Sequence, residues 1–319
     1  MLSVCLYVCP HTVLSSLAQA YECFQLANQL SAQPLFKLQR FSQDGQPVRL
    51  AYALLDVEGG LEVAETAHLV MLPATGSDQA TVRQANGTLL NWLARRPAEQ
   101  GLASLCSSAF LLAEAGQLDS CQATTHWALA GQFRQRYPQV QLRSQQLFCA
   151  SGQRFSSAGA QAAVDLCLHL VELHGGPWLA EQVAGALVVE RQRGSQSRLQ
   201  PLLPSPRQDD PALLELLRWL QPRYAEPIDL ANMAARLHCS PRTLLRRFRH
   251  ATGLTPLAYL QRLRILAAQQ ALRHPGTRLE DIASAVGYAD RASFSRLFKH
   301  VCAETPAAYR RRLTAASRP

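Results

Sequence analysis

No stretch of this chain reaches the roughly 18 consecutive apolar residues that a membrane helix needs, and no basic flank, apolar run and cleavage site open it. A soluble, intracellular protein is therefore expected. A second closely spaced cysteine pair to match Cys5 and Cys9 is missing too. The nine cysteines (Cys5, Cys9, Cys23, Cys106, Cys121, Cys149, Cys167, Cys239 and Cys302) are odd in number and scattered, without the double spacing of a zinc site. The simplest setting is a reducing cytosol, and no metal or cofactor is expected. Residues 1–206 lack any excess of positive charge, with 13 Arg and Lys against 14 Asp and Glu, whereas residues 207–319 hold 19 against 9. The net charge of +9 thus sits in the C-terminal part, and an anionic partner is expected for that part alone.

What is present is ample apolar material, 48% of 319 residues, which is enough for two cores and too much for one ordinary domain. Over residues 1–190 short apolar runs alternate with amphipathic stretches, the pattern of a parallel sheet flanked by helices. Strands are expected at Leu2–Cys9, Phe36–Phe41, His68–Leu72, Leu102–Cys106 and Leu147–Ala150, and helices at Ser16–Leu30, Asp78–Ala94, Ser107–Ala115, Ala128–Tyr137 and Ala158–His174. Residues 191–209 carry Pro201, Pro204 and Pro206 in a polar run and read as a linker. Beyond it, residues 210–319 read as helical throughout. The expected fold class is an α/β N-terminal domain followed by an all-α C-terminal domain with two helix-turn-helix motifs.

The duplication is visible at Asp229 to Pro256 and Thr277 to Pro306. In the first copy Asp229 caps a short helix with Leu230, Met233, Ala234 and Leu237 on one side, and His238-Cys239 turns the chain. Ser240 and Pro241 then start a second helix with Leu244, Phe248 and Ala251 inward and Arg242, Arg246 and Arg249 outward. In the second copy Thr277 and Glu280 suggest a capping box, Ile282, Ala283 and Val286 point inward, and Gly287-Tyr288 turns. Asp290 caps a helix with Phe294, Leu297, Phe298 and Val301 inside and Arg291, Ser295, Arg296 and Lys299 outside. A helix over residues 256–273 separates the copies and would hold the two outer faces about one DNA turn, ~34 Å, apart, with Arg262 and Arg264 available for phosphates. Arginine on such a helix can donate two parallel bonds to guanine. A merely solvated helix face is the plainer alternative, but the stripe recurs at matching offsets beside matching caps and cores.

Residues 208–313 resemble the AraC/XylS family of transcription regulators. The likeness rests on Asp229-Leu-Ala-x-Met-Ala, Ser240-Pro-Arg-Thr-Leu-x-Arg-x-Phe, Gly253-x-Thr-Pro256, Ile282-Ala-x-x-Val-Gly-Tyr288, Phe294-Ser-Arg-x-Phe-Lys299 and Thr305-Pro-x-x-Tyr-Arg310. It implies a sequence-specific regulator, more often an activator, with double-stranded DNA and RNA polymerase as partners. By the same resemblance Arg242, Leu245 and Arg246, and Arg291, Ala292 and Arg296, face bases, with Arg249 and Lys299 on the same outer faces. Ala303 departs from the family's usual glycine after the second recognition helix.

In the N-terminal domain Cys106 follows an apolar strand and precedes a helix, a junction at which a helix N-terminus can lower a thiol's pKa and make a nucleophile. Residues 1–190 resemble the ThiJ/PfpI superfamily of the class I glutamine amidotransferase-like fold, on Cys106, Ala123-Thr-Thr-His-Trp127 and Ser156-Ser-Ala-Gly159. The resemblance implies that His126 is the histidine near the cysteine. Departures argue against catalysis: Ser16 stands about where family enzymes have an acidic residue, Pro73-Ala-Thr75 replaces Pro-Gly-Gly, and Ser108 replaces a glycine. A noncatalytic sensor is expected, with Cys106, His126 and Thr75 lining a pocket for a small-molecule effector at the carboxyl ends of the strands. Glu22 is a further pocket residue or an exposed ion-pair partner. A homodimerisation role, and a cysteine-dependent hydrolase or amidotransferase centred on Cys106, are the alternatives.

Overall fold

The computed structural model describes residues 1–159, 161–191, 196, 202–204, 209–274 and 276–316. The chain divides into two units, Met1–Leu199 and Gln200–Pro319. Most of the expected linker, 191–209, lies outside the described residues. Among the described residues no helix is long and apolar enough to cross a membrane.

The first unit runs β1 (Leu2–Tyr7), α1 (Leu14–Leu30), β2 (Phe36–Phe41), the short hairpin β3 (Val48–Arg49) and β4 (Leu54–Leu55), then β5 (Leu69–Leu72), α2 (Gln79–Ala85) and α3 (Gly87–Leu93). There follow β6 (Gly101–Leu105), α4 (Ala109–Glu114), β7 (Gln122–Ala123), α5 (Ala130–Arg136), β8 (Gln141–Leu142), β9 (Phe148–Ser151), β10 (Arg154–Ser157) and α6 (Ala162–Ala186). Six strands form one sheet in the order β2-β1-β5-β6-β10-β9, parallel except for the antiparallel β9–β10 edge. Val4 and Leu6 of β1 join the core shared with α1 and α6, while Cys5 and Tyr7 join the core on the other face. A strand buried on both faces has no reason to alternate, so β1 reads as one apolar run.

Three differences from the sequence expectation have a clear physical cause. The helix expected over 78–94 is two helices, because Asn86 leaves helical geometry to accept a 2.5 Å bond from Tyr7 Oη and to donate to Val82 O. The last helix continues past His174 but breaks at Gly176 (φ 83°), and Pro177 opens its second half. Strand β10 was not anticipated, since Arg-Phe-Ser-Ser looks polar, yet all four residues are buried.

The second unit is helical: α7 (Pro211–Leu220), α8 (Leu230–Arg236), α9 (Pro241–Thr252), α10 (Pro256–Ala271), α11 (Leu279–Ala285), α12 (Arg291–Cys302) and α13 (Pro306–Ala316). Asp210, Asp229, Ser240, Thr255 and Asp290 each accept a bond from the backbone N–H three residues on, as their cap chemistry requires. The expected capping box at Thr277 and Glu280 does not form. Arg278 occupies the cap position of α11, where the first copy has Asp229, and offers no acceptor.

There are two small cores here. Tyr259, Leu260 and Leu263 of α10 pack with α7, α8 and α9, and Ile265, Ala268 and Leu272 pack with α11 and α12. The connecting helix is thus a shared wall rather than a free spacer, and its 16 residues span ~24 Å. This placement corrects the phosphate role expected for Arg264. Arg264 donates to Tyr224 O (2.7 Å) and Glu226 O (2.9 Å) and lies over the Tyr288 ring, and Arg262 donates to Leu202 O. The Arg264 guanidinium is thus occupied in holding the unit together, and Arg262 commits one donor to the same end.

Candidate nucleic-acid interface and ligand pocket

The two helix-turn-helix copies agree in more than sequence. Residues 241–250 and 291–300 have the same burial class at all ten positions, with the fourth and eighth buried and the first, second, sixth, ninth and tenth exposed. The buried pair is Leu244 and Phe248 in one helix, Phe294 and Phe298 in the other. Each recognition helix ends in left-handed backbone, at Gly253 (φ 71°) and Ala303 (φ 60°). Alanine in that conformation costs about 1 kcal/mol relative to glycine. Each is followed by a Thr-Pro cap, with Thr255 and Thr305 both accepting at 3.2 Å, and each places a tyrosine ring against the second residue of its buried pair, Phe248–Tyr259 at 5.6 Å and Phe298–Tyr309 at 5.5 Å. The repeat therefore includes the helix after each recognition helix.

Within this frame Arg242, Arg246 and Arg249 are exposed on α9, with Leu245 half-buried between them. Arg247 is different: it forms a bidentate pair with Asp210 at 2.6 and 2.7 Å, tying α9 to the cap of α7. The Asp210 carboxyl is held below its usual range, chiefly by that guanidinium. On α12, Arg291, Ala292, Arg296 and Lys299 are all exposed, and Ser295 takes the place of Leu245. The shared burial pattern aligns Ala292, not Arg291, with Arg242, and Arg291 with Pro241. Arg291 pairs with Glu280 at 2.7 Å. Sequence spacing gave no sign of that pair, because its partners lie on different helices.

In the α/β unit the expected pocket residues converge at the carboxyl ends of β5 and β6. Thr75 N donates to Ser107 Oγ (2.9 Å), next to Cys106, and the Cys106 carbonyl accepts from Thr125 Oγ1 (2.8 Å), next to His126. Cys106 has φ 60°, a strained strand-to-helix junction. Its thiol pKa is nevertheless raised by burial, which outweighs the hydrogen bonds from Ser107, so the lowering expected from the helix N-terminus is overturned. His126 Nδ1 accepts from Ala128 N as a cap, which places its proton on Nε2, and burial lowers its pKa. The hydroxyl of Ser16 donates to Val13 O and accepts from Ala74 N, and so closes the loop where an acid would act. Glu22 is exposed on α1.

Apart from Thr75, sequence reasoning missed the buried polar groups at this end. Thr75 Oγ1, Ser157 Oγ, Gln79 Oε1 and His11 Nδ1 are buried with no hydrogen-bond partner among the described residues. Gln196, inside the expected linker, is 3% exposed, with its amide donating to Thr125 O, Ser144 O, Thr124 Oγ1 and Gln146 O and accepting from Trp127 N. A lone glutamine in a polar run carries no sequence signal for this. A cavity of about 370 Å³ opens at the opposite end of the sheet, lined by Leu2, His68, Gln100, Phe155, Leu173 and His174 among others, and includes none of Thr75, Cys106 or His126.

Comparison with known proteins gives a consistent result. Residues 233–312 match the helix-turn-helix domain family. The chain is 30% identical to the HTH-type transcriptional regulator CdhR of Pseudomonas aeruginosa over 292 residues, covering 90% of this chain and 85% of that protein. A solved AraC family transcriptional regulator from Pseudomonas putida superposes with a TM-score of 0.50 at 25% identity, over 59% of this chain and all of that one. A ThiJ/PfpI family protein from Pseudomonas syringae superposes with a TM-score of 0.51 at 18% identity, over 58% of this chain and 74% of that one, which shows the fold of the α/β unit.

Proposed function

Because the chain belongs to the AraC family of HTH-type transcription regulators, we propose that α9 and α12 enter two neighbouring major-groove segments of one duplex and read its sequence. The observation that carries this reading is the ten-position match between the two helices, each turning a cationic face to solvent. Arg242, Leu245, Arg246 and Arg249 of α9, and Ala292, Arg296 and Lys299 of α12, form the base and phosphate contacts, with Arg291 beside them. Double-stranded DNA is the partner, and the cytoplasm, where bacterial DNA lies, is the site of action. On the family resemblance alone we extend the reading to activation through RNA polymerase and to a homodimer.

The test is binding of the full chain to its selected duplex and to random duplex at several salt concentrations. Arg246→Ala should weaken the selected duplex by about 1–3 kcal/mol and random duplex by less. Equal losses on both would reduce Arg246 to a phosphate contact.

We further propose that the α/β unit senses a small-molecule effector without catalysis. The unpartnered polar atoms of Thr75, Gln79 and Ser157 suit a polar ligand held beside Cys106 and His126. Gln196 ties the loop bearing His126 to the chain leading toward the DNA-binding unit, which gives a ligand there a route to the linker. Against the hydrolase or amidotransferase reading stand the raised thiol pKa and the hydrogen-bonded Ser16. Iodoacetamide at pH 7, followed by peptide mass mapping, should label Cys106 no faster than the other half-buried thiols. Rapid selective labelling, together with a turnover abolished by Cys106→Ala, would restore the enzyme.

A further inference from the structure

The two recognition helices differ where their first reading position falls. By the shared burial pattern Arg242 stands opposite Ala292, and the arginine beside Ala292 is one residue earlier, about 100° around the helix, at the position of Pro241. Its guanidinium is drawn to Glu280 Oε1 at 2.7 Å, on the preceding helix. First-copy residues have no such restraint: the position matching Glu280 is Ala231, counted from the turn residues His238 and Gly287, both at positive φ.

The next arginine differs as well. Arg296 Nη2 donates to Ser293 Oγ at 3.1 Å, whereas the matching Thr243 hydroxyl is engaged by Ser240 Oγ at 3.0 Å. Among the described residues Arg242, Arg246 and Arg249 make no side-chain hydrogen bond or ion pair. Three unengaged guanidinium groups thus face solvent on α9, against a methyl group, two engaged guanidinium groups and Lys299 on α12. Glu280 stays ionised at neutral pH, since its own backbone N–H and then Arg291 hold its carboxyl below the usual range.

Resting on the DNA-reading role above, we propose that the two copies read DNA unequally, α9 recognising guanine edges through Arg242 and Arg246, and α12 recognising a thymine methyl through Ala292 while Glu280 keeps Arg291 off the duplex. Arginine paired to guanine O6 and N7 and alanine against the thymine C5-methyl are matched chemistries, and a methyl contact discriminates less than a bidentate pair. The operator is then asymmetric. One segment carries most of the sequence information, and the other carries a thymine preference.

The experiment selects duplexes from a random library with the full chain, then measures affinities for the selected site. Expected are two segments about one helical turn apart, the guanine-bearing one lost in Arg246→Ala and the other centred on thymine. Replacing that thymine by deoxyuridine, which removes only the methyl, should lower affinity a fewfold for the native chain and leave Ala292→Gly unaffected. Glu280→Gln should free Arg291 for a phosphate, steepening the salt dependence by about one ion and blurring the thymine preference. Two equally guanine-rich segments, or deoxyuridine and Glu280→Gln without effect on a site that is still bound, would overturn the unequal reading alone. Failure to select any sequence would overturn the DNA-reading role beneath it.

Discussion

Gly287→Ala should destabilise the DNA-binding unit by about 2–5 kcal/mol and remove the contribution of the second recognition helix to DNA affinity. Two effects add. Gly287 sits at φ 84°, where an L side chain costs about 1–2 kcal/mol. A Cβ there would also lie 2.6 Å from Ala225 O and 3.1 Å from Ala225 C and Cα, which are backbone atoms that cannot swing aside. They are held in place because Arg264 grips the carbonyls on either side, Tyr224 O and Glu226 O. The turn of the second copy is thereby seated on the loop ahead of the first, which fixes how the two recognition helices are set relative to each other. Gly253→Ala is the internal control. Its φ of 71° is similar, but nothing lies within 4 Å of the added methyl, and Ala303 already occupies the matching position of the second copy. Urea denaturation of both variants should show a loss of about 1 kcal/mol for Gly253→Ala and a clearly larger one for Gly287→Ala. Equal losses would mean that the Ala225 contact does not constrain the turn.

Arg154→Met should lower the stability of the α/β unit by about 3–5 kcal/mol. Arg154 is 8% exposed on β10, and its partners are Gln153 O at 3.2 Å and oxygens of the 97–117 region: Gln100 O at 2.8 Å, Gln117 O at 3.1 Å, Gln117 Oε1 at 2.5 Å, and the Pro97 and Ala98 carbonyls at 3.4 Å. Burial lowers its pKa, which marks the cost of keeping the charge inside. Replacing a buried ion pair by apolar residues is often neutral, because both charges leave together. Here most partners are backbone carbonyls, which stay behind, and the buried Gln100 O among them loses this donor. Arg154→Lys should also be destabilising, since one ammonium cannot reach oxygens spread around a planar fork. The check is the midpoint of the α/β unit's urea transition followed by near-UV circular dichroism, with DNA binding by the other unit retained. A midpoint within error of the native value for both variants would show that water satisfies these carbonyls instead.

Legibility from sequence followed the range of the forces involved. The caps at Asp210, Asp229, Ser240 and Asp290, the prolines at the first helical positions and the inward Leu244, Phe248, Phe294 and Phe298 could all be read off, because each is decided within four residues of chain. Strand β2 matched its expected bounds, and β1 and β5 came within two residues, because their apolar runs are buried on both faces. Arg264 was misread as a phosphate ligand because its carbonyl partners lie 38 and 40 residues away. The break at Asn86 depends on Tyr7, and the raised pKa of Cys106 depends on burial that outweighs a favourable local position.

Sequence by itself determined that this chain carries two copies of one helix-turn-helix unit behind an α/β domain, since periodicity, caps and charge are properties of neighbours along the chain. Tertiary structure alone decided that Glu280 engages Arg291 and that a buried β10 is built around Arg154. Those outcomes depend on which distant groups desolvate or pair with one another, and that is settled only when the elements pack.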